Sequence, residues 1–529
     1  MSEMIVRTEP LGGSALSQAA RTGQLSQWYR PIPRGADEWN DYARDAARTA
    51  PPTWFKDLEQ AIAPTGRAAT RLARAVDGQG LVVTTGQQPG LFGGPLMTLA
   101  KAISARALAD ALQAMLGLSV APLFWAATDD ADFQEAAVVS VSLDGGAREL
   151  RLEARAPAGT PMARVPIDHD IDRQVTLLRE ACGSGAHELY LDETIHAYHD
   201  GATLGDAYVA VLRRVLEPLE MAVIDASHSD VARAAAPLMR RAANNGEALA
   251  GVVRRRSDEI SAAGFTPQVE EVPGLSLVSL NRDGTKRRLP LVEAATVREL
   301  PSDQFLSPTV LLRPVLERAI LPTAAYVGGP GEIAYFAQVT AVSDALGVPT
   351  PLVLPRWSTT IVEPRVHRTL ARFGLSVEAF ADPHAVEGRV ARERLSPDAA
   401  RALIGLRNNV AAGVSSLAAA NGGLLPTDVI EGLRRSLEHR MARVERRLLA
   451  AVKRRETEIM HQIATARGSL YPHGTRQERK LAFVPFLARY GPVLIEQMLA
   501  GAGAHARALL SGAPTMAASS AATAPAARV

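Results

Sequence analysis

The stretch Leu81–Glu135 limits the possible folds of this chain more than any other. It reads Leu-Val-Val-Thr-Thr-Gly-Gln-Gln-Pro-Gly-Leu-Phe-Gly-Gly-Pro, continues through an alanine-rich run, and ends Ala-Pro-Leu-Phe-Trp-Ala-Ala-Thr-Asp-Asp-Ala-Asp-Phe-Gln-Glu. An apolar run that breaks into glycines, a helical run, and a second apolar run that ends in carboxylates describe a strand–loop–helix–strand unit. Such units build α/β folds around a mostly parallel sheet. In open sheets of that kind ligands bind outside the carboxyl ends of the strands. The ends at Gly86 and Thr128 therefore mark a candidate site.

The pattern extends well beyond this unit. Short apolar runs at Leu81–Thr85, Ala121–Ala126, Met221–Asp225 and Pro351–Leu354 alternate with Ala/Leu/Arg helices, which predicts a Rossmann-like parallel core over residues 81–364. Residues 1–80 read as a helical part of that core, with Trp28, Trp39 and Trp54 as packing anchors. A β-hairpin turning at Asp144-Gly145-Gly146 and a second small β element turning at Asn281-Arg282-Asp283-Gly284 read as insertions into the sheet domain.

A different regime begins near Arg365. Helices over Ser396–Ala420 and Thr427–Arg467 are separated by Asn421-Gly422-Gly423 and Pro426. In the second helix Leu433, Leu437, Met441, Val444, Leu448, Val452, Ile459 and Ile463 recur every three or four residues, with Arg and Glu between them. That is a coiled-coil seam. A helix of ~40 residues is ~60 Å long, so residues 365–470 are expected to form a projecting antiparallel coiled-coil helical hairpin whose exposed stripe makes a homodimer. Residues 471–510 return as helix to the core, and 511–529, rich in Ala, Ser, Thr and Pro, read as a disordered tail.

Bulk properties exclude several classes. A chain of 529 residues suggests two or three domains. A formal net charge of +2 argues against nucleic acid or an acidic membrane as partner. No apolar run approaches the ~18 residues of a membrane span, and the start Met1-Ser2-Glu3-Met4 has no basic region before an apolar core. The expectation is a soluble, cytoplasmic protein. Its single cysteine, Cys182, lies away from the strand ends and is not assigned as a nucleophile, and the histidines do not fall into metal-ligand spacing, so no metal is assigned.

Three motifs carry candidate chemistry. The turn holding Gly86, Gln87, Gln88, Gly90, Leu91, Gly94 and Pro95 is neither a Walker A sequence nor a dinucleotide fingerprint. Its glycines suit a tight turn or a close backbone approach to a ligand. A helix starting near Pro95 would offer free N–H groups to an anion, with Lys101 two turns on as an added cation. Thr128–Glu135 crowds Asp129, Asp130, Asp132 and Glu135 together. Such carboxylates attract an ammonium, and one of them could carry a raised pKa and act as a base; the loop could equally be solvated, with Asp130 as a helix cap. A second glycine turn holds Tyr326, Gly328, Gly329, Gly331, Glu332 and Tyr335, preceded by Arg313, and Arg356 stands at another strand end.

Taken together, Thr85–Leu91 with Gly94-Pro95, Phe124-Trp125 with Asp130-Ala131-Asp132-Phe133, Leu312-Arg313-Pro314, Tyr326–Tyr335, Pro355-Arg356, Gln477-Glu478-Arg479 and Phe486–Gly491 resemble the bacillithiol biosynthesis cysteine-adding enzymes, in order and over nearly the whole chain. The resemblance implies a nucleotidyltransferase-like Rossmann core, a dimerising coiled coil, and a ligase that joins cysteine to glucosaminyl-malate. It also implies an adenine nucleotide (ATP or ADP) site near the coiled coil, for which Gln477, Arg479, Arg489 and Tyr490 are the candidates. Amide formation needs an activated carboxyl and a deprotonated amine. Asp130 and Asp132 would hold the ammonium, one of them as base, and Arg313 and Arg356 would meet the malate carboxylates. One residue departs from the family pattern: Ala131 stands where the family usually has His, and it can neither transfer a proton nor donate a hydrogen bond. Other readings are an amino-acid-activating ligase or nucleotidyltransferase that makes a related thiol, and a coiled-coil scaffold with a vestigial pocket.

Overall fold

The computed structural model describes all residues except 1, 2, 155, 295, 296, 298–303, 383 and 513–529. The tail expected to be disordered lies, from residue 513 on, outside the described residues. The chain divides into two compact units. The larger comprises residues 6–141, 149–360 and 478 onward; the smaller comprises residues up to 5, 142–148 and 361–477.

The larger unit is built on a parallel sheet of β1 (Leu81–Gln87), β2 (Val120–Ala126), β3 (Ala222–Asp225), β7 (Thr323–Gly328) and β8 (Val353–Pro355), in the order β8-β7-β1-β2-β3. Strands β1 and β2 are buried almost throughout, which explains their unbroken apolar character: both faces of a parallel sheet are covered by helices. Pro122 sits inside β2 but one residue before pairing with β3 begins at Leu123, so its missing N–H spares that ladder. Strand β7 has no counterpart among the expected strands. Its Thr-Ala-Ala-Tyr-Val-Gly is half β-branched or aromatic, but it follows Pro322 directly and runs without alternation into the Gly328-Gly329 turn, so it reads as part of that turn. The order reverses between β1 and β7, so the crevice for a ligand opens at the ends of those two strands.

Helix α1 (Leu96–Leu116) follows β1 and is buried on nearly every side, as a helix apolar all round must be. Helices α2 (Arg313–Ile320) and α3 (Pro330–Leu346) flank β7. The three tryptophans expected as anchors are all buried. A small antiparallel sheet joins β4 (Leu275–Arg282), β5 (Thr285–Pro290) and β6 (Phe305–Pro308), in the order β5-β4-β6. Asp283 and Gly284 form its turn with φ of 51° and 78°, the left-handed pair that a two-residue hairpin requires.

In the smaller unit α4 (Pro397–Ala420) and α5 (Thr427–Arg455) form a helical pair. The expected single helix through Arg467 is interrupted at Glu456 (φ −93°, ψ 49°), and α6 (Thr457–Leu470) continues separately. The break has a packing cause. Ile459 and Ile463 leave the seam and, together with Leu470, join a core with Val366, Leu370 and Phe373. The seam itself is sparsely covered: Leu406, Leu417, Leu424, Val429, Leu433 and Val444 stay exposed. No helix among the described residues is long and apolar enough to cross a membrane.

Candidate functional site

A cavity of about 470 Å³ opens at the strand-order reversal, within the size range of small-molecule sites. Gly86, Gln87, Gln88 and Lys101 line it from the β1 side, Asp129 and Asp130 from the end of β2, and Arg313, Gly329, Gly331, Glu332, Tyr335 and Arg356 from the β7 side. The two glycine turns and the acidic loop, which run from Gly86 to Gly331 in the sequence, thus meet in one place.

Gly86 is required by space. A Cβ there would stand 2.8 Å from the Trp125 carbonyl oxygen and 3.2 Å from an Arg313 guanidinium nitrogen. Further along the loop Phe92 is held in the left-handed region (φ 54°) and fully buried. Tyr198, which sequence reasoning did not single out, locks this turn: its hydroxyl donates to the Gly90 carbonyl at 2.9 Å and accepts from Gly93 N–H at 3.2 Å. Gly90, Leu91, Gly94 and Pro95 do not line the cavity. The helix start at Pro95 is also closed to an anion, because Leu96 N–H already donates to the Leu481 carbonyl at 2.7 Å. That turn is structural.

Lys101, expected as a free cation, is a buried bolt. Its ammonium donates to the Gly86 carbonyl (2.5 Å), Gln87 Oε1 (3.1 Å) and Glu332 Oε2 (2.6 Å), which uses all three of its donors. Glu332 also accepts from Gly329 N–H (2.7 Å) and from the Tyr326 hydroxyl. Burial works against its charge, but Lys101 and Arg313 outweigh burial and hold its carboxyl below the usual range. Arg313 donates to the Tyr335 hydroxyl at 3.0 Å. Tyr326 lies beneath this cluster, stacked on Phe336, and Gly328 is part of β7; neither lines the cavity. Arg356 is taken bidentately by Glu478 (2.8 and 2.7 Å), whose carboxyl its charge holds below the usual range against burial.

Beneath the same wall Glu317, one helical turn after Arg313, is wholly buried. Arg313 Nε lies 3.9 Å from it. Burial raises its carboxyl to about 7, with Arg313 pulling the other way. A carboxyl raised from 4.5 on folding keeps its extra proton in the folded state. Its contribution to stability is complete below the unfolded value and is lost as pH rises through about 7. Glu317→Gln should therefore gain stability relative to the parent between pH 5 and pH 8, read as a difference in melting temperature; a pH-independent difference would refute the assignment.

The acidic loop is ordered by its neighbours. Asp129 is paired with Lys286 of β5 at 2.8 Å, and Asp130 accepts from Gln88 Nε2 at 2.9 Å and from Asp132 N–H at 3.0 Å. Asp132 stands outside the cavity and caps the short helix Phe133–Ala136 by accepting from Glu135 N–H. Glu135 also lies outside it; partial burial, then Asp132 and Asp130, raise its carboxyl pKa, and Arg479 opposes them. Ala131 does not line the cavity either. Cys182 is buried, which pushes its thiol up to about 12 and makes it a poor nucleophile.

The four residues considered for a nucleotide have different surroundings. The Gln477 amide is spent on the Ile361 N–H and carbonyl and the Ser469 carbonyl. Arg489 donates to the Ala181 carbonyl and stands over the Phe486 and Tyr490 rings. Arg479 instead lines the cavity, exposed and with no carboxylate in salt-bridge range among the described residues.

Residues 36–357 match the description "Bacillithiol biosynthesis BshC, N-terminal Rossmann-like domain", and residues 423–505 match "Bacillithiol biosynthesis BshC, C-terminal coiled-coil domain". Relatives named "Putative cysteine ligase BshC" include one from Koribacter versatilis, 30% identical over 87% of this chain and 88% of its own length. Another, from Solibacter usitatus, is 31% identical over 79% and 82%, and a third, from Heliobacterium modesticaldum, is 34% identical over 65% and 66%.

Proposed function

The chain belongs to the BshC family of bacillithiol biosynthesis, and from that membership we propose that it is a carbon–nitrogen ligase that forms an amide between the cysteine carboxyl and the amine of glucosaminyl-malate. The observation that carries this reading is the polarity of the cavity. On the β7 side Lys101, Arg313 and Arg356 face Glu332 and Glu478, three cations against two carboxylates, with Glu317 and its raised carboxyl buried beneath them. On the β2 side Asp129 is paired with Lys286, Asp130 is held by the Gln88 amide with no cation bonded to it, and Arg479 lines the same cavity. A site of this kind accommodates an activated, anionic carboxyl at one end and an ammonium at the other.

The step balances as follows. The cysteine carboxylate attacks a phosphorus of ATP, giving a mixed anhydride and releasing diphosphate or ADP. The free amine then attacks the carbonyl carbon, the C–N bond forms, and AMP (from the adenylate) or inorganic phosphate (from the acyl phosphate) leaves with its electron pair, the second N–H proton passing to the leaving phosphate. Before attack the ammonium gives up one proton, for which Asp130 is the acceptor, since Asp129 is already neutralised by Lys286. Asp132, as a helix cap, has no part in this.

Incubating the full chain with cysteine, glucosaminyl-malate and ATP should yield the cysteinyl amide by mass spectrometry, with ATP consumed in proportion. No amide with all three present would end the proposal; amide without ATP would end only the activation step. The exposed apolar residues along α4 and α5 support a homodimer through the coiled coil, and a single-chain mass in sedimentation equilibrium would refute that part.

A further inference from the structure

A second cavity of about 230 Å³ shares Asp129 and Phe305 with the first. It is too small for a whole ligand of ordinary size and so suits part of one. Its position is set by the backbone: Met162 N–H donates to the Asp130 carbonyl at 2.8 Å and Ala163 N–H to the Thr128 carbonyl at 3.0 Å, which brings the next residue, Arg164, beside the acidic loop. The Arg164 guanidinium reaches over the Asp283-Gly284 turn, where a Cβ on Gly284 would meet it at 3.5 Å. It has no ion pair or side-chain hydrogen bond among the described residues.

Arg282 adds a second guanidinium, joined to Asp283 at 3.2 Å in an exposed pair that holds it weakly. Asn281 is nine-tenths buried and lines the same chamber; its Nδ2 donates to Ser307 Oγ at 2.8 Å, while its Oδ1 has no partner. Arg313 and Arg356, by contrast, have their guanidiniums engaged by tyrosines, Glu332 and Glu478.

We propose that this second chamber is the subsite for a carboxylate-bearing end of the acceptor. Arg164 and Arg282 receive the carboxylate, and the acceptor's amine reaches past Asp129 into the first cavity. The assignment rests on the ligase reading above and moves anion recognition away from Arg313 and Arg356.

Calorimetry on the full chain tests it with two acceptors, glucosaminyl-malate and glucosamine, which lacks the carboxylates. The parent should bind glucosaminyl-malate roughly 10- to 100-fold more tightly, as one to two charge-assisted hydrogen bonds provide. Arg164→Gln should remove most of that ratio, and Arg164→Lys should restore part of it. Arg164 is exposed, so the fold should survive the change, and circular dichroism melting checks that. An unchanged ratio in Arg164→Gln overturns the subsite and leaves the ligase reading standing. If the parent binds neither acceptor, the reading of the main cavity fails and the subsite with it.

Discussion

Replacing Asp130 by Asn should lower kcat for amide formation by roughly 10²- to 10⁴-fold, the usual contribution of a positioned proton acceptor. The fold should be unaffected. Asn keeps the shape of the side chain and an oxygen that can accept from Asp132 N–H, and the Gln88 amide can turn over to present its oxygen to the new NH₂. What disappears is a negative charge and a place for the proton. The loss should shrink as pH rises, because the acceptor amine then deprotonates in solution and no longer needs the carboxylate. Asp129→Asn is the contrasting variant: its charge already faces Lys286 at 2.8 Å, so its effect should fall mainly on substrate binding. A kcat for Asp130→Asn within twofold of the parent, at constant melting temperature, would remove Asp130 from the mechanism.

The position of the site was legible in the residues themselves, because parallel strands are apolar runs and their ends must carry the turns and polar groups. Strand β7 was not, since its short run follows Pro322 directly, lacks alternation and merges with the glycine turn after it, so only its pairing with β1 sets it apart. Residue type identified the cations but not their condition. Lys101, Arg313 and Arg356 look like ligand-binding cations when read alone. Their partners come from distant positions: Arg356 and Glu478 are 122 residues apart. No local pattern encodes such pairings, and burial makes them obligatory. Among the described residues that line the two cavities, Arg479 and Arg164 keep open guanidiniums, and each ends a three-residue 3-10 turn with no periodic pattern around it. The anion site imagined at Pro95 failed for a similar reason, since Leu481 comes from a remote part of the chain to take the N–H of Leu96. Spacing along the chain therefore located the pocket better than it assigned roles within it.

Lys101→Met should be the most destabilising single change at this site, at about 3–5 kcal/mol, the usual cost of breaking a buried ion pair from one side. Methionine fills the same volume, so the loss is not one of packing. It strands the Glu332 carboxylate, 17% exposed as a side chain, with only Gly329 N–H, the Tyr326 hydroxyl and Arg313 at 3.7 Å to balance it. It also leaves the Gly86 carbonyl and Gln87 Oε1 without their donor. Both glycine turns are tied to this one ammonium, so their positions relative to each other should loosen, and the cavity with them. Adding Glu332→Gln should recover part of the loss, because the second change removes the charge that the first left buried; the two effects should be clearly less than additive in a double-mutant cycle read by denaturant unfolding. Turnover should not recover in the double variant, since the net charge of the β7 wall is unchanged but the Gly86 carbonyl and Gln87 Oε1 still lack the donor that positions the β1 loop. A Lys101→Met protein that unfolds like the parent, or a double variant that adds the two losses in full, would show that the ammonium does not hold the two loops together.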